Sequence, residues 1–496
     1  MEQQKTRYSF VYENLKNRIL SGQVLPGNHL PSSLRLCDEF NVGLPTVRNA
    51  LNSLKDEGFI EIHPRCAPIV RRCNEADFFQ GSELSVLQQR DHLLQIHQTF
   101  ALILPPIMSF SSHGHNIEAL PHYNDAAKIA VSEKKSGKWR IMSDLGHDVL
   151  KCSGNPLFND LFTIYLQNGA FGYFTEGCSF FRDRFLQGVP TVSDRLIEIL
   201  KSDDPTYKIN QFTEVYEWLS DAVLATIKHL EAECSELPLQ SVSDFTWDTI
   251  RGHNYCYSRI IRDIINKIGL NEYPVGTFLP SEAKLSKQYD VSISTIRRAL
   301  SQLEELGYSR TLNGRGTIVL VPDHSNITAA LQNQALRRQA LHYLHAIQLM
   351  VLIIRPSALR AAKNLQPEDL KILAAHAQKP GTILISHIFD ILLKRLDLVP
   401  LRTILAEAGR LTEWGYCLSL SPDKKYSLYL LNKKGMQAYH NLSNNNLKAF
   451  AMNLEDCYRQ LLRLVRKFVV DQCHFNGALA VRIPDKRYVP TQTILK

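Results

Sequence analysis

Two short stretches of this chain gather the side-chain types that read nucleic-acid bases. One runs Pro45-Thr46-Val47-Arg48-Asn49-Ala50-Leu51-Asn52, the other Ser294-Thr295-Ile296-Arg297-Arg298-Ala299-Leu300-Ser301-Gln302. In each, apolar residues recur at i, i+4 and i+7: Val47, Leu51 and Leu54 in the first, Ile296, Leu300 and Leu303 in the second. That spacing builds a helix with one dry face. The wet face then presents Thr46, Arg48, Asn49 and Asn52, or Ser294, Thr295, Arg297, Arg298 and Gln302. Arginine pairs with guanine through two parallel hydrogen bonds, asparagine and glutamine pair with adenine, and hydroxyls serve either a base or a phosphate. For any single helix the ordinary alternative is a solvated polar face.

The flanking sequence supplies the same scaffold twice. Leu30-Pro31-Ser32, Val42, Leu54 and Gly58-Phe59 surround the first stretch; Leu279-Pro280-Ser281, Val291, Leu303 and Gly307-Tyr308 surround the second. The second copy's numbers exceed the first's by 249 throughout, in a chain of 496 residues, so the repeat occupies both halves. Tyr8–Leu20 and Tyr257–Ile268 have helical spacing, and Gly22, Pro26 and Gly27, or Pro274 and Gly276, end them. Ser32 and Ser281 are placed as N-caps of a short helix reaching Phe40 and Tyr289. A tight turn at Asn41-Val42-Gly43, or Asp290-Val291-Ser292, leads to the base-reading helix. Gly58 and Gly307 stand where a left-handed C-terminal cap is wanted. Strands follow at Phe59–Ile62 with Ile69–Arg71, and at Tyr308–Leu312 with Thr317–Leu320. Helix, helix, turn, helix and β-ribbon is the winged helix-turn-helix order, in which the third helix enters the major groove. Two copies in one context favour base reading over a merely solvated face.

Composition agrees. Residues 1–75 hold ten Lys/Arg against eight Asp/Glu, and residues 250–322 ten against six, so these segments carry +6 of the net +8. A basic excess suits phosphate neutralisation, though one this small is weak by itself. No stretch approaches the ~18 apolar residues of a membrane span, and Ile347–Ile354 is expected to be the middle of a buried helix. No signal peptide is evident, and ten scattered cysteines without a CxxC pair point to a reducing cytoplasm.

At this point the residues resemble the GntR family of bacterial regulators. Leu279-Pro280-Ser281-Glu282, Val291-Ser292, Ser294-Thr295-Ile296-Arg297-Arg298-Ala299-Leu300, Leu306-Gly307-Tyr308 and Asn313-Gly314-Arg315-Gly316-Thr317 follow that family's DNA-binding signature. The first copy agrees at Pro31-Ser32, Thr46-Val47-Arg48 and Gly58-Phe59. It departs at Pro45 and in its wing, His63-Pro64-Arg65-Cys66-Ala67-Pro68, which lacks glycine. The resemblance implies DNA contacts from Thr46, Arg48, Asn49 and Arg65 in the first copy. In the second it implies Ser294, Thr295, Arg297, Arg298, Asn313, Gly314 and Arg315. The first copy is expected to read DNA differently or more weakly.

Residues 80–235 and 330–470 are mostly helical by pattern. Gly146-His147-Asp148-Val149-Leu150 with Ser153-Gly154-Asn155-Pro156-Leu157 resembles a helix of the all-α effector (FCD) domain of the FadR branch. Ser386-His387-Ile388-Phe389 with Pro400-Leu401, and Tyr439-His440, resemble worn parts of it. The implied plan is mainly α: winged domain 1–75, effector-like domain 80–235, winged domain 250–322, effector-like domain 330–470. That branch often binds a metabolite, sometimes through a metal held by one Asp and three His. Here His147 matches one ligand position with Asp144 one residue out of register, and His387 and His440 match two in the other domain. Neither set is complete, so His147, His387 and His440 are candidate effector-cavity residues and no metal or other cofactor is expected.

His113-Gly114-His115 reads as an exposed loop, and Cys66 with Cys73 shows no feature that would lower a thiol pKa. Ser153-Gly154-Asn155-Pro156 lacks a nucleophile elbow, and no Walker loop, post-strand GxGxxG or HExxH exists. The reading is a non-enzymatic transcriptional regulator binding double-stranded operator DNA, as a monomeric pseudo-dimer or a homodimer. It is cytoplasmic, has no membrane partner, and leaves room for a small-molecule effector. The alternative is an enzyme or metabolite-binding protein whose winged domains regulate it or contact proteins.

Overall fold

The computed structural model describes residues 7–20, 29–40, 42–63, 66–71, 82–130, 138–171, 174, 178–185, 192–234, 245–247, 256–269, 272–320, 331, 334–378, 384–412 and 424–488. It is mainly helical, with two small two-stranded sheets. The chain divides into two units: Met1–Cys152 with Phe158–His253, and Ser153–Leu157 with Asn254–Lys496.

The first unit opens with α1 (Arg7–Leu20), α2 (Ser33–Phe40), α3 (Leu44–Asp56), β1 (Ile60–Glu61) and β2 (Ile69–Val70). Val47, Ala50, Leu51 and Leu54 of α3 are buried with Val11, Leu15 and Ile19 of α1 and Leu36 and Phe40 of α2. Ile60 pairs with Val70 and Glu61 with Ile69, and His29 bridges to Ile69. The wing is therefore shorter than the alternation predicts. α4 (Ser82–Gln88), α5 (Arg90–Ser112), α6 (Tyr123–Ala130), α7 (Lys138–Lys151), α8 (Pro156–Asn168), α9 (Ser179–Phe185), α10 (Val192–Lys201) and α11 (Pro205–Glu233) follow. α5 and α11 form the main packing pair. Within Ser153–Leu157, the segment that belongs to the second unit, Asn155 Oδ1 accepts from Leu157 N at 3.0 Å, the N-cap bond of a helix start.

In the second unit, α12 (Cys256–Gly269), α13 (Glu282–Tyr289), α14 (Ile293–Glu305), β3 (Ser309–Leu312) and β4 (Gly316–Val319) repeat the arrangement. The ribbon is four residues long on each side, from Ser309↔Val319 to Leu312↔Gly316, and Phe278 bridges to Ile318 at the position of His29. α15 (Gln334–Ala362), α16 (Pro367–Ala377), α17 (Leu384–Arg395), α18 (Val399–Thr412), α19 (Lys424–Ser443) and α20 (Leu447–Asp471) follow.

The end of the third helix is built alike in both copies. Phe59 N donates to Leu54 O and Gly58 N to Lys55 O; Tyr308 N donates to Leu303 O and Gly307 N to Glu304 O, all at 2.9 Å. This double closure needs a left-handed residue at its centre, and Gly58 (φ 81°) and Gly307 (φ 77°) supply it.

The copies differ in what lies against them. Among the described residues, the first winged segment has a core cluster of its own. The second shares one with Leu336, Ala340, Tyr343, Leu344 and Ile347 of α15 and Leu462, Val465, Phe468 and Val469 of α20. Three substitutions account for this. Ile261, Ile265 and Leu306 are buried in that shared core; their counterparts 249 residues earlier are Tyr12, Lys16 and Glu57. These instead form a polar cluster: Lys16 Nζ donates to Glu57 Oε2 at 2.7 Å and to Tyr12 Oη at 2.8 Å, and Tyr12 Oη donates to Glu57. Hydrogen bonds from Lys16 and then Tyr12 hold the Glu57 carboxyl below its ordinary pKa.

Among the described residues two helices, Arg90–Ser112 and Leu336–Ala362, are long and apolar enough to cross a membrane by length and composition alone, and the second contains Ile347–Ile354, buried as expected. In the fold 78% and 89% of their apolar windows are buried, as for helices at the centre of a protein core.

Candidate nucleic-acid interface

In the second unit, α14 starts at Ser292, whose Oγ accepts from Thr295 N at 3.3 Å and lies 2.8 Å from both Ser294 Oγ and Thr295 Oγ1. Three hydroxyls are thereby gathered at the helix N-terminus, where positive backbone ends favour a phosphate oxygen. Ile296, Ala299, Leu300 and Leu303 are buried, while Ser294, Arg297 and Arg298 are exposed and Thr295 is half-buried. Arg297 Nε donates to Glu282 Oε2 of α13 at 2.8 Å. The Arg298 guanidinium lies 4.5 Å from the centroid of Tyr257 on α12, a cation–π contact that restrains a long side chain. Both arginines are thus braced by neighbouring helices and remain open to solvent.

Asn313, Gly314 and Arg315 form the exposed wing tip, where Arg315 N donates to Leu312 O at 3.0 Å. Asp290 takes a left-handed turn (φ 53°) that swings the chain from α13 to α14, and Ser281 caps α13 by accepting from Lys284 N.

In the first unit, α3 begins at Gly43, which has no side chain to cap it, and Pro45 occupies its first turn. Arg48, Asn49 and Asn52 are exposed and Thr46 is half-buried. Among the described residues no acid lies within ion-pair distance of Arg48, and Ser33 stands where Glu282 stands in the second copy. Tyr8, the counterpart of Tyr257, turns its hydroxyl 2.7 Å from Ser53 Oγ. Arg65 lies outside the described residues, as do Asn41 and Cys73; Cys66 is exposed.

The braces on Arg297 and Arg298 are missed by sequence reasoning. Glu282 was part of the motif, but its pairing spans two helices that only the fold brings together. The signal available was the asymmetry of the repeat, Glu282 against Ser33.

The candidate effector residues lie in different local surroundings. His147 Nδ1 lies 2.8 Å from Asn159 Oδ1 and its ring stands edge-on to Phe162 at 5.0 Å. Burial lowers its pKa and raises that of Asp144. His387 stacks on His376 with centroids 3.7 Å apart, and exposed His440 lies against Tyr439. Among the described residues no three His, Cys, Asp or Glu side chains are grouped to hold a metal.

Residues 7–70 and 256–319 both match the family described as bacterial regulatory proteins, gntR family. The arabinose metabolism transcriptional repressor of Halalkalibacterium halodurans is 41% identical over 56 residues, which is 11% of this chain and 15% of the relative. The HTH-type transcriptional regulator TreR of Bacillus subtilis is 38% identical over 61 residues, 12% of this chain and 26% of the relative. The matches therefore span well under two thirds of the relatives' own lengths. Among solved structures, a Streptococcus agalactiae GntR aligns over 99% of its chain and 42% of this one, at 20% identity and a TM-score of 0.19. E. coli McbR/YncC aligns over 98% of its chain and 46% of this one, at 14% identity and a TM-score of 0.21. The chain carries two winged helix-turn-helix domains of the gntR family, at residues 7–70 and 256–319.

Proposed function

We propose that this chain is a sequence-specific DNA-binding transcriptional regulator whose two recognition helices, α3 and α14, belong to one polypeptide. The observation that carries the reading is the exposed, braced pair Arg297 and Arg298 on a helix of gntR type. Thr46, Arg48 and Asn49 would contact DNA from the first copy. Ser294, Thr295, Arg297, Arg298 and the wing tip 313–315 would contact it from the second. The names of the relatives, a repressor and a regulator, agree with this role. In this reading 1–75 and 250–322 are DNA-binding domains, and 80–235 and 330–470 are effector-like helical domains. A ligand there would shift DNA affinity only as far as it prefers one conformation over another.

Docking of one winged domain raises the effective concentration of the other wherever the geometry permits. Because the copies differ, the preferred site is an imperfect palindrome. A second reading, in which α14 alone reads bases and the first winged domain serves as support, is favoured by the uncapped α3, its unbraced Arg48 and the short first wing.

Selection from a random DNA pool, with the full chain and with Arg297→Ala/Arg298→Ala, tests this. A motif with two unequal halves, one lost in the variant, is expected. Complete loss in the variant supports the second reading, and no motif from the unmodified chain contradicts the proposal.

A further inference from the structure

The last two long helices of the second unit and the segment after them line an open cleft of about 620 Å³, far in sequence from the winged segment and not lined by His387 or His440. A volume of this order holds a small metabolite. Three elements line it: α19 through Lys434, α20 through Asp456, Arg459, Gln460 and Arg463, and the C-terminal segment through Asp485, Lys486 and Arg487. Five cations thus face two carboxylates, an excess of three positive charges.

The carboxylates are already used. Asp456 receives Arg459 on one oxygen and Lys486 on the other at 3.3 Å, with Lys434 at 4.0 Å. Asp485 Oδ2 receives Arg487 Nε and Nη2 at 3.0 and 2.6 Å. Arg459 is only 2% exposed and forms a fixed floor: Nε donates to Pro484 O at 2.9 Å, and Nη2 donates to Glu455, which also faces Arg355. The excess charge therefore resides on Arg463, which is exposed with no acid within ion-pair distance among the described residues, and on Lys434 and Lys486, which share one carboxylate. A concave wall with a surplus of one sign focuses its field inward, and guanidinium and ammonium groups at several points suit a ligand with more than one oxyanion.

We propose that this cleft binds a small molecule carrying two or more negative charges on carboxylate or phosphate groups, held by Arg463, Lys486 and Lys434 above the Arg459 floor. The two charges would lie on separate groups, one against Arg463 and one between the lysines. Its use as an effector site rests on the regulator reading above; the binding itself does not, and is measured without DNA.

The test is isothermal titration calorimetry of the full chain with citrate and, separately, with pyrophosphate, at ionic strength held constant with potassium chloride. One saturable site per chain is expected for at least one probe, and the stronger probe assigns the carboxylate or the phosphate class. Arg463→Ala/Lys486→Ala should weaken it by about tenfold or more, and Arg463→Glu should abolish it. Arg402→Ala, an exposed cation on α18, should leave it unchanged. Both replaced cleft residues are exposed, so the variants should fold, as a thermal melt would verify. Absence of saturable heat with both probes overturns the proposal, as does equal affinity in Arg463→Ala/Lys486→Ala. So does a variant that loses DNA affinity while neither probe binds the unmodified chain, which would assign these cations to DNA phosphates.

Discussion

Arg297 carries the most weight of any single side chain. Its Nε is held by Glu282; under the proposed function this would fix the guanidinium near its working position before DNA arrives, so less side-chain freedom would be lost on binding. Arg297→Lys should cost about 1–3 kcal/mol against the selected site and relax preference at one base pair. Glu282→Gln removes a negative charge from the interface and frees the arginine. Binding to random DNA should then strengthen while the ratio of specific to random affinity falls; fluorescence anisotropy on both duplexes measures this. An unchanged ratio would mean the brace has no role in reading. Neither effect was visible in the one-dimensional pattern, because Glu282 and Arg297 meet only across the helix-turn-helix.

Elsewhere in the first unit, His97 of α5 is buried, with Nδ1 3.1 Å from Tyr165 Oη and Nε2 3.1 Å from Gly169 O. Burial lowers its pKa from 6.5 to about 4. Between those values the unfolded chain binds the proton and the folded chain does not, so stability rises with pH. His97 should therefore cost the fold progressively as pH falls from 6.5 to 4, by about 2 kcal/mol at pH 5. In urea unfolding at pH 7 and pH 5, His97→Gln should lose less stability on acidification than the unmodified chain. Equal losses would show that His97 takes up its proton as readily in the folded chain as in the unfolded one, against the account given. In the sequence His97 was one polar residue in an apolar helix, without a spacing partner to mark it.

At the scale of elements, the two winged domains share a plan and differ in attachment. Ile261, Ile265 and Leu306 extend the second domain's core into α15 and α20, whereas Tyr12, Lys16 and Glu57 give the first a polar surface at the same positions. Regions sharing a buried core open together, and those without one open locally. Hydrogen exchange should show α12 and α14 amides protected nearly as well as α15, and α1 and α3 amides exchanging earlier than α5. Similar protection in α3 and α14 would contradict this. The helices, caps and Schellman-type ends were legible because glycine, serine and the 3.6-residue period each have one cheap local use. The first wing was not: two strand residues on each side leave too little alternation to read its length. The cationic cleft was not either, since its side chains come from positions 434, 456–463 and 485–487.

At the scale of the whole molecule, the repeat places two gntR-type winged segments on one chain, and the proposed function is that one chain engages one site through both. The sequence revealed the duplication directly, through the constant spacing of its motifs. It said little about the helical segments beyond their helicity, because bundle helices are defined by apolar faces that many sequences satisfy.

The most direct test is the mass of the complex formed with the selected duplex, by native mass spectrometry, alongside the affinity of Arg48→Ala/Asn49→Ala for that duplex. One chain per duplex, with affinity lowered at least tenfold in the variant, is the predicted result. Two chains per duplex, with affinity untouched by the variant, would contradict the single-chain account and leave α14 as the reader.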